Sequence, residues 1–243
     1  MPDNPTISCL CVTRNRVPLL KRSIKSFLDQ TYRNKELIIV YDDDDISTRD
    51  FLNKNTDNTI KKIEVKNSNG LTLGGRRNLS VQICGGEYFC QWDDDDWSHN
   101  NRLEFQMNVI RESNMPACVM IHWLIYDSIG NQAYVSNRRP WEGSLLCKKS
   151  LINDDLKYND TAKGEDTIII KELFSKNLIF PVIMPKLYIY VYHGKNVWEQ
   201  EHFEEIFRSS KKLSSKSTEI IKDILDGKYT GENASALLDR MSE

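Results

Sequence analysis

"EYFCQWDDDDW", residues 87–97, decides the fold: an apolar run stops against four consecutive aspartates closed by a tryptophan. A short apolar run behind the turn residues Gly85 and Gly86 predicts a buried strand. Four adjacent carboxylates repel one another and add nothing to a core. Their place at the carboxyl end of a strand calls for a ligand that answers the charge. A second stretch, "ELIIVYDDDD" at residues 36–45, repeats the arrangement.

The segments around these two follow the same plan. "TISCLCV" (6–12), bounded by Pro5 and "TRNR", predicts a first strand, and "IKKIEVK" (60–66) another. Between them, "VPLLKRSIKSFLDQ" (17–30) carries Leu20, Ile24, Phe27 and Leu28 at i, i+4, i+7 and i+8, an amphipathic helix with Pro18 near its start. A glycine-bearing loop, "NGLTLGGRRN", leads into a short helix that reaches Cys84. Apolar strands alternating with helices predict an α/β fold, a mostly parallel sheet with both faces covered. Ligands of such sheets sit beyond the carboxyl ends of the strands, so both aspartate runs are expected on one rim, facing one crevice.

Further along, "RLEFQMNVIRES" (102–113) predicts a helix and "ACVMIHWLIYD" (117–127) one long strand with "NQAYVSN" as its hairpin partner. "EDTIIIKELFSKN" turns helical after two acids, and "PKLYIYVYH" (185–193) predicts a strand. From about Phe203 the chain is polar, rich in Ser and Lys, and helix-prone with weak apolar spacing. This divides it into a domain of residues 1–202 and a C-terminal helical appendage of residues 203–243. The roles open to the appendage are cover for the acceptor site, homo-oligomer contact, and peripheral contact with a membrane or a partner enzyme; Lys211, Lys212 and Lys216 point to an anionic surface, against the plainer reading of a solvated helix face.

Composition sets the outer bounds. The 243 residues are 40% hydrophobic and 28% charged, with a formal net charge of −2, which argues against a protein that grips nucleic acid by its phosphates. No apolar run approaches the roughly 20 residues of a membrane span, and the N-terminal stretch lacks the pattern of a signal peptide. The six cysteines have no C-x-x-C spacing and lie mostly in apolar segments. The expectation is buried, reduced thiols in a cytoplasmic protein, free or peripheral at the inner face of the membrane.

One aspartate run alone reads as a solvated loop. Two at matching strand ends read as a metal-assisted site for a phosphate-bearing ligand, because a divalent cation relieves the repulsion. Magnesium or manganese suits one or two carboxylates plus substrate phosphates.

The ordered set "ISCLCVTRNRVPLLKRSIKSFLDQTYRNKELIIVYDD", "GRRNLSVQICGGEYFCQWDDDDWSHNNRLEFQ" and "GED" at residues 164–166 resembles the family 2 glycosyltransferases, inverting enzymes of GT-A fold that use nucleotide sugars. The resemblance covers about Thr6 to Trp198 and implies roles position by position. Thr13, Arg14 and Asn15 match the segment that holds the nucleotide base, with Arg14 where a tyrosine is common. Asp42, and next Asp43, match the base-contacting pair; Tyr41 competes for the first position, and Asp44 and Asp45 are loop charge. Arg77 and Asn78 match an element at a helix start that suits the diphosphate, with capping as the structural alternative for Asn78. Asp93 and Asp95 form a D-x-D. Asp95 is the expected metal contact, Asp93 assists at metal or ribose, and Asp94 fills the variable position of the donor set. Asp96 faces metal or sugar, and His193 approaches the metal or the diphosphate, against the plainer reading of a structural histidine after a strand. Asp166 is the expected general base, against the alternative of an acidic helix start. Trp92 is expected in the core, Trp97 either at the sugar site or packed in the core, and Trp123 and Trp141 around the sugar pocket.

The resemblance thus implies a metal-dependent inverting transferase with Mn²⁺ or Mg²⁺. Its donor is a nucleotide sugar, first of all a UDP-sugar, and its acceptor a hydroxyl of a glycan or glycolipid. A nucleotidyltransferase is the first rival, but "VTRNRVP" lacks a glycine-rich phosphate loop after the first strand. A non-catalytic nucleotide-sugar or carbohydrate-binding module is the second, and it has no need of a base at Asp166.

Overall fold

The computed structural model describes residues 4–54 and 57–241. Along the chain, β1 (Ile7–Val12) leads to α1 (Val17–Leu28), then β2 (Lys35–Asp42), α2 (Ile46–Asn53), β3 (Ile60–Val65), α3 (Leu73–Ile83) and β4 (Tyr88–Gln91). β1 pairs in parallel with β2 and β4, and β2 with β3. Side chains alternate across the sheet. Cys9, Cys11, Leu37 and Ile39 enter one core cluster, and Leu10, Ile38 and Val40 the opposite one. Burial on both faces explains why these strands read as unbroken apolar runs. α1 buries Leu20, Ile24 and Phe27 on the first of these faces.

The chain continues through β5 (Trp97–Ser98), α4 (Arg102–Ser113), β6 (Ala117–His122), β7 (Leu124–Asp127), β8 (Gln132–Val135) and β9 (Leu146–Lys148). It then forms α5 (Thr167–Ser175), β10 (Ile179–Ile183) and β11 (Tyr188–Tyr192), and ends with α6 (Gln200–Ser209), β12 (Lys211–Lys212), α7 (Ser215–Leu225) and α8 (Gly231–Arg240). The main sheet has seven strands in the order β10-β6-β9-β4-β1-β2-β3, and β9 alone runs antiparallel to its neighbours. The mostly parallel sheet flanked by helices is as expected. A second sheet of five strands, β12-β8-β7-β11-β5, was not anticipated.

The long strand expected over 117–127 is two strands in two sheets. The break falls at Trp123, whose backbone N–H donates to Ser136 Oγ (3.1 Å) and whose ring stacks on Trp141 at 5.1 Å between centroids. Both halves are apolar, so hydropathy gives no sign of the turn. Likewise Pro185–Leu187 form a single 3-10 turn before β11, where one strand was expected over 185–193.

The last segment is better packed than its spacing suggests. Phe203 and Ile206 of α6 enter the core beneath the main sheet. Ile221, Ile224 and Leu238 of α7 and α8 form a third core with Trp97, Leu124 and Ile189 of the second sheet. Ile221 is fully buried, so Ile221→Ala is expected to cost about 2–5 kcal/mol by lost transfer energy and the cavity left behind, read from a urea unfolding curve. All six cysteines are buried and unpaired. No helix among the described residues is long and apolar enough to cross a membrane.

Candidate active site

Because β1, β2 and β4 are parallel neighbours, their carboxyl ends share one rim. Four arginines divide between the two acidic runs that end there. Arg14 Nη1 lies 3.0 Å from Asp42 Oδ2, and Arg76 reaches Asp42 Oδ1 at 2.6 Å. Arg16 Nη1 lies 3.1 Å from Asp95 and 3.4 Å from Asp94, and Arg77 Nη2 lies 3.0 Å from Asp93. Arg16 was missed by the sequence reading. Its signal was the spacing "R-N-R" after β1, which offers one guanidinium to each run.

The four aspartates at 93–96 have four different environments. Asp93 keeps 24% of its side chain exposed and faces Arg77. Asp94 is buried and accepts from Thr13 Oγ1 at 2.6 Å; burial, then the neighbouring Asp95, push it up to about 7. It is a held member of the cluster rather than a spacer. Burial also acts to raise Asp95, but the hydrogen bond with His193 Nε2 (3.1 Å) and the charge of Arg16 outweigh it and hold Asp95 below the usual carboxylate range. Asp96 turns toward the second sheet, accepting from the Tyr188 hydroxyl and from Val191 N–H (2.9 Å). Burial and the charges of Asp95 and Asp93 raise it well above the usual range. Its contacts make it an anchor for β11.

Nδ1 of His193 accepts the Lys195 N–H at 3.2 Å, so its proton is on Nε2, aimed at Asp95. To ligate a cation through Nε2 the ring must give up both contacts. Among the described residues no cluster of three or more His, Cys, Asp or Glu side chains is arranged for a metal. Asp93 and Asp95 both line the cleft, Asp93 paired with Arg77 and Asp95 with Arg16 and His193.

The other acidic run is more structural than expected. Asp45 is fully buried and caps α2, accepting from Thr48 N–H (3.0 Å) and from the Asn15 N–H. It is a cap rather than loop charge. Asp43 accepts from Asn67 N–H at 2.9 Å. Tyr41 is buried in the core, which leaves Asp42 as the rim residue. Asn15 takes φ 53°, a left-handed conformation that asparagine tolerates.

On the far side, Gly164 (φ +64°) turns the chain so that Glu165 and Asp166 face the cleft. Arg77 Nε lies 2.7 Å from Glu165, so one buried guanidinium bridges Asp93 and the "GED" loop. This places Arg77 a turn inside α3, which Thr72 caps, rather than at the helix start. Asn78 is no cap. Its amide pairs with both backbone groups of Tyr158, at 2.9 and 3.0 Å. Asp166 stands at the N-cap position of α5 without a capping side-chain bond; Gln91 Nε2 donates to its Oδ2 at 3.2 Å.

The "GED" loop rests on α3 through Gly74, where a Cβ would stand 1.7 Å from Asn159 O. Gly74→Ala is therefore expected to push the loop off the helix, costing about 1–3 kcal/mol by overpacking. Thermal unfolding and turnover, measured together, are expected to fall in step.

Arg16, Arg77, Gln91, Asp93–Asp96 and Asp166 line one cleft with Trp141 and Trp198. Thr13 and His193 stand behind it against Asp94 and Asp95. Arg14, Asp42 and Asp43 gather one strand further along the rim. Trp92 is in the core, as expected; Trp123 is in the core too, fully buried, and not at the sugar pocket where it was expected. Trp97 is buried in the third core, the second of its two expected places.

A family model described as "Glycosyl transferase family 2" matches residues 8–171. An uncharacterized glycosyltransferase of Methanocaldococcus jannaschii is 32% identical over 132 residues, 53% of this chain and 45% of the relative. The Escherichia coli UDP-Glc:alpha-D-GlcNAc-diphosphoundecaprenol beta-1,3-glucosyltransferase WfaP is 25% identical over 177 residues, 73% of this chain and 65% of the relative. The chain thus spans about half to two thirds of the length of these curated relatives. Among solved structures, S. aureus TarS 1-349 in complex with UDP has a TM-score of 0.60 at 16% identity, covering 98% of this chain and 75% of TarS 1-349. The mannosyltransferase PcManGT from Pyrobaculum calidifontis in complex with GDP-Man and Mn²⁺ has a TM-score of 0.60 at 13% identity, covering 100% and 77%.

Proposed function

The chain belongs to glycosyl transferase family 2 and has the GT-A fold, and on that premise we propose that it is an inverting, metal-dependent glycosyltransferase. Its donor is a nucleotide sugar, a UDP-sugar first of all, and its acceptor a hydroxyl of a glycan or glycolipid. The observation that carries this reading is the cleft itself. Asp166 and the Asp93–Asp95 run line it together, with Arg77 between them. A single displacement at an anomeric carbon requires a base and a leaving-group clamp within reach of one carbon, and one cleft lined by both groups supports that reading.

Asp166 takes the proton of the acceptor hydroxyl as that oxygen attacks. The bond from the anomeric carbon to the diphosphate breaks on the opposite face, so an α-linked donor yields a β-linked product. Asp95 and Asp93 would hold Mn²⁺ or Mg²⁺, which when bound supplies positive charge to the leaving diphosphate. Arg16, paired with Asp95 and Asp94, adds a guanidinium aimed at the same charge. Asp42, between Arg14 and Arg76, is assigned to the base of the nucleotide, with Thr13, Asn15 and Asp43 shaping that end. Trp141 and Trp198 offer flat apolar faces to the sugars. A UDP-sugar is favoured because WfaP is named for UDP-Glc and TarS binds UDP. The GDP-Man complex of PcManGT makes GDP-sugars the necessary control.

The test is UDP or GDP release from a panel of nucleotide sugars, with Mn²⁺ and with EDTA. The acceptor probe is an N-acetylglucosaminyl diphospholipid, the acceptor chemistry named for WfaP. Metal-dependent release from a UDP-sugar is expected. A protein that neither binds nor turns over any nucleotide sugar with metal present is not this enzyme.

A further inference from the structure

Gln91 is a polar side chain, 1% exposed, at the end of an otherwise apolar strand, and it lines the cleft together with Asp93 and Asp166. Its backbone is fixed from both sides: N–H donates to Leu145 O at 3.0 Å, and C=O accepts from the buried Arg102 at 3.1 Å. Its side-chain Nε2 donates to Asp166 Oδ2 at 3.2 Å, and its Oε1 accepts the hydroxyl of Tyr158 at 3.3 Å. Tyr158 is itself 2% exposed and lies with its ring 5.8 Å from the Arg77 guanidinium. An ionised carboxylate only accepts, so the amide must turn its NH₂ toward Asp166 and its oxygen toward Tyr158. The result is a directed chain, Tyr158 to Gln91 to Asp166, in which each group has one orientation.

We infer that Gln91, set by Tyr158, is a positioning residue that fixes the rotamer of Asp166 for proton removal from the acceptor. The inference rests on the reading of Asp166 as the base. Among the described residues Asp166 Oδ1 takes no protein hydrogen bond, so tying Oδ2 to Gln91 leaves Oδ1 as the oxygen that meets the acceptor hydroxyl. Gln91 also ends the strand that delivers Asp93 two residues later. One side chain therefore ties the base to the strand end that carries Asp93. Without it, Asp166 keeps its backbone place at the start of α5 and loses its side-chain direction. A misplacement of about 1 Å in a reacting group costs on the order of a hundredfold in rate.

The experiment is a double-mutant cycle on the full chain with Mn²⁺. UDP-glucose and UDP-N-acetylglucosamine serve as donor probes and the N-acetylglucosaminyl diphospholipid as acceptor probe. Gln91→Leu is expected to lower kcat about 10- to 100-fold and to leave the dissociation constant for the UDP-sugar within about twofold. Tyr158→Phe is expected to lower kcat less, and the double variant to be no slower than Gln91→Leu, because Tyr158 acts through Gln91. Should Gln91→Leu fail to fold, Tyr158→Phe alone reads the same chain, since it removes one hydroxyl and keeps the ring. Unchanged kcat in the variants, losses that multiply in the double variant, or a loss confined to donor binding overturns the inference. Asp166→Asn separates the two levels. If it is inactive while Gln91→Leu and Tyr158→Phe match the wild type, the base stands and the positioning role falls. If Asp166→Asn still transfers sugar, both fall.

Discussion

Replacing Asp166 by Asn abolishes sugar transfer and leaves the nucleotide-sugar dissociation constant within about twofold: that is the largest effect expected of any single change in this protein. A general base contributes on the order of 10²–10⁴ in rate, and an amide of the same shape cannot take the proton. The fold gives little reason for a structural loss. Asp166 makes no capping side-chain bond, and the start of α5 is held by its backbone carbonyl, which accepts from Ile169 N–H at 3.1 Å. Gln91 can donate to an amide oxygen as it does to Oδ2. On the proposed reading donor binding rests on the Asp93–Asp95 run and the Asp42 end of the rim, so it is expected to persist. The measurement pairs turnover with calorimetric titration of the UDP-sugar. Loss of both together, with the fold intact, places Asp166 in the donor site instead.

The second large effect concerns Asp95. It is the aspartate of the 93–96 run held below the usual carboxylate range, by His193 and Arg16 against burial, and so the one best kept ionised for a cation. Asp95→Ala is expected to lower kcat/KM by about 10³ or more, the loss of several kcal/mol of charge stabilisation at the leaving group. Chelation by EDTA is expected to do the same in the wild type and Mn²⁺ to restore it. Asp95→Ala is expected to gain nothing from added Mn²⁺. Asp94→Asn is expected to be mild, since its oxygen can still accept from Thr13. His193→Ala should fall between them, because His193 serves Asp95 through a proton rather than a lone pair in this arrangement. Activity that is indifferent to EDTA and to Asp95 alike removes the metal from the scheme and leaves the charge to Arg16 and Arg77.

Much of this was legible in the sequence, for identifiable reasons. β1, β2 and β4 are buried on both faces, so each announces itself as a short apolar run, and each acidic run marks a carboxyl end. Three parallel ends make one rim, so the neighbourhood of Asp42 and Asp93 followed from strand order. The "GED" loop was found only through its resemblance, because its place on α3 is set by contacts between distant segments: Gly74 under Asn159, and Asn78 on Tyr158. The break at Trp123 was hidden by apolar residues on both sides. The cap at Asp45 was hidden inside a run whose members look alike. Arg16 escaped because nothing local pairs it with Asp95, 79 positions away. The third core escaped because the apolar residues of α7 and α8 are sparse and their partners lie in β5, β7 and β11.

The most direct test is the anomeric configuration of the product. Wild-type protein, Mn²⁺, an α-linked UDP-sugar and the N-acetylglucosaminyl diphospholipid are incubated, and the new linkage is read by ¹H NMR coupling at the anomeric carbon. A β-linked product, absent with Asp166→Asn, is the expected result. An α-linked product, or a β-linked one that forms equally well without the Asp166 carboxylate, contradicts a single displacement with Asp166 as its base.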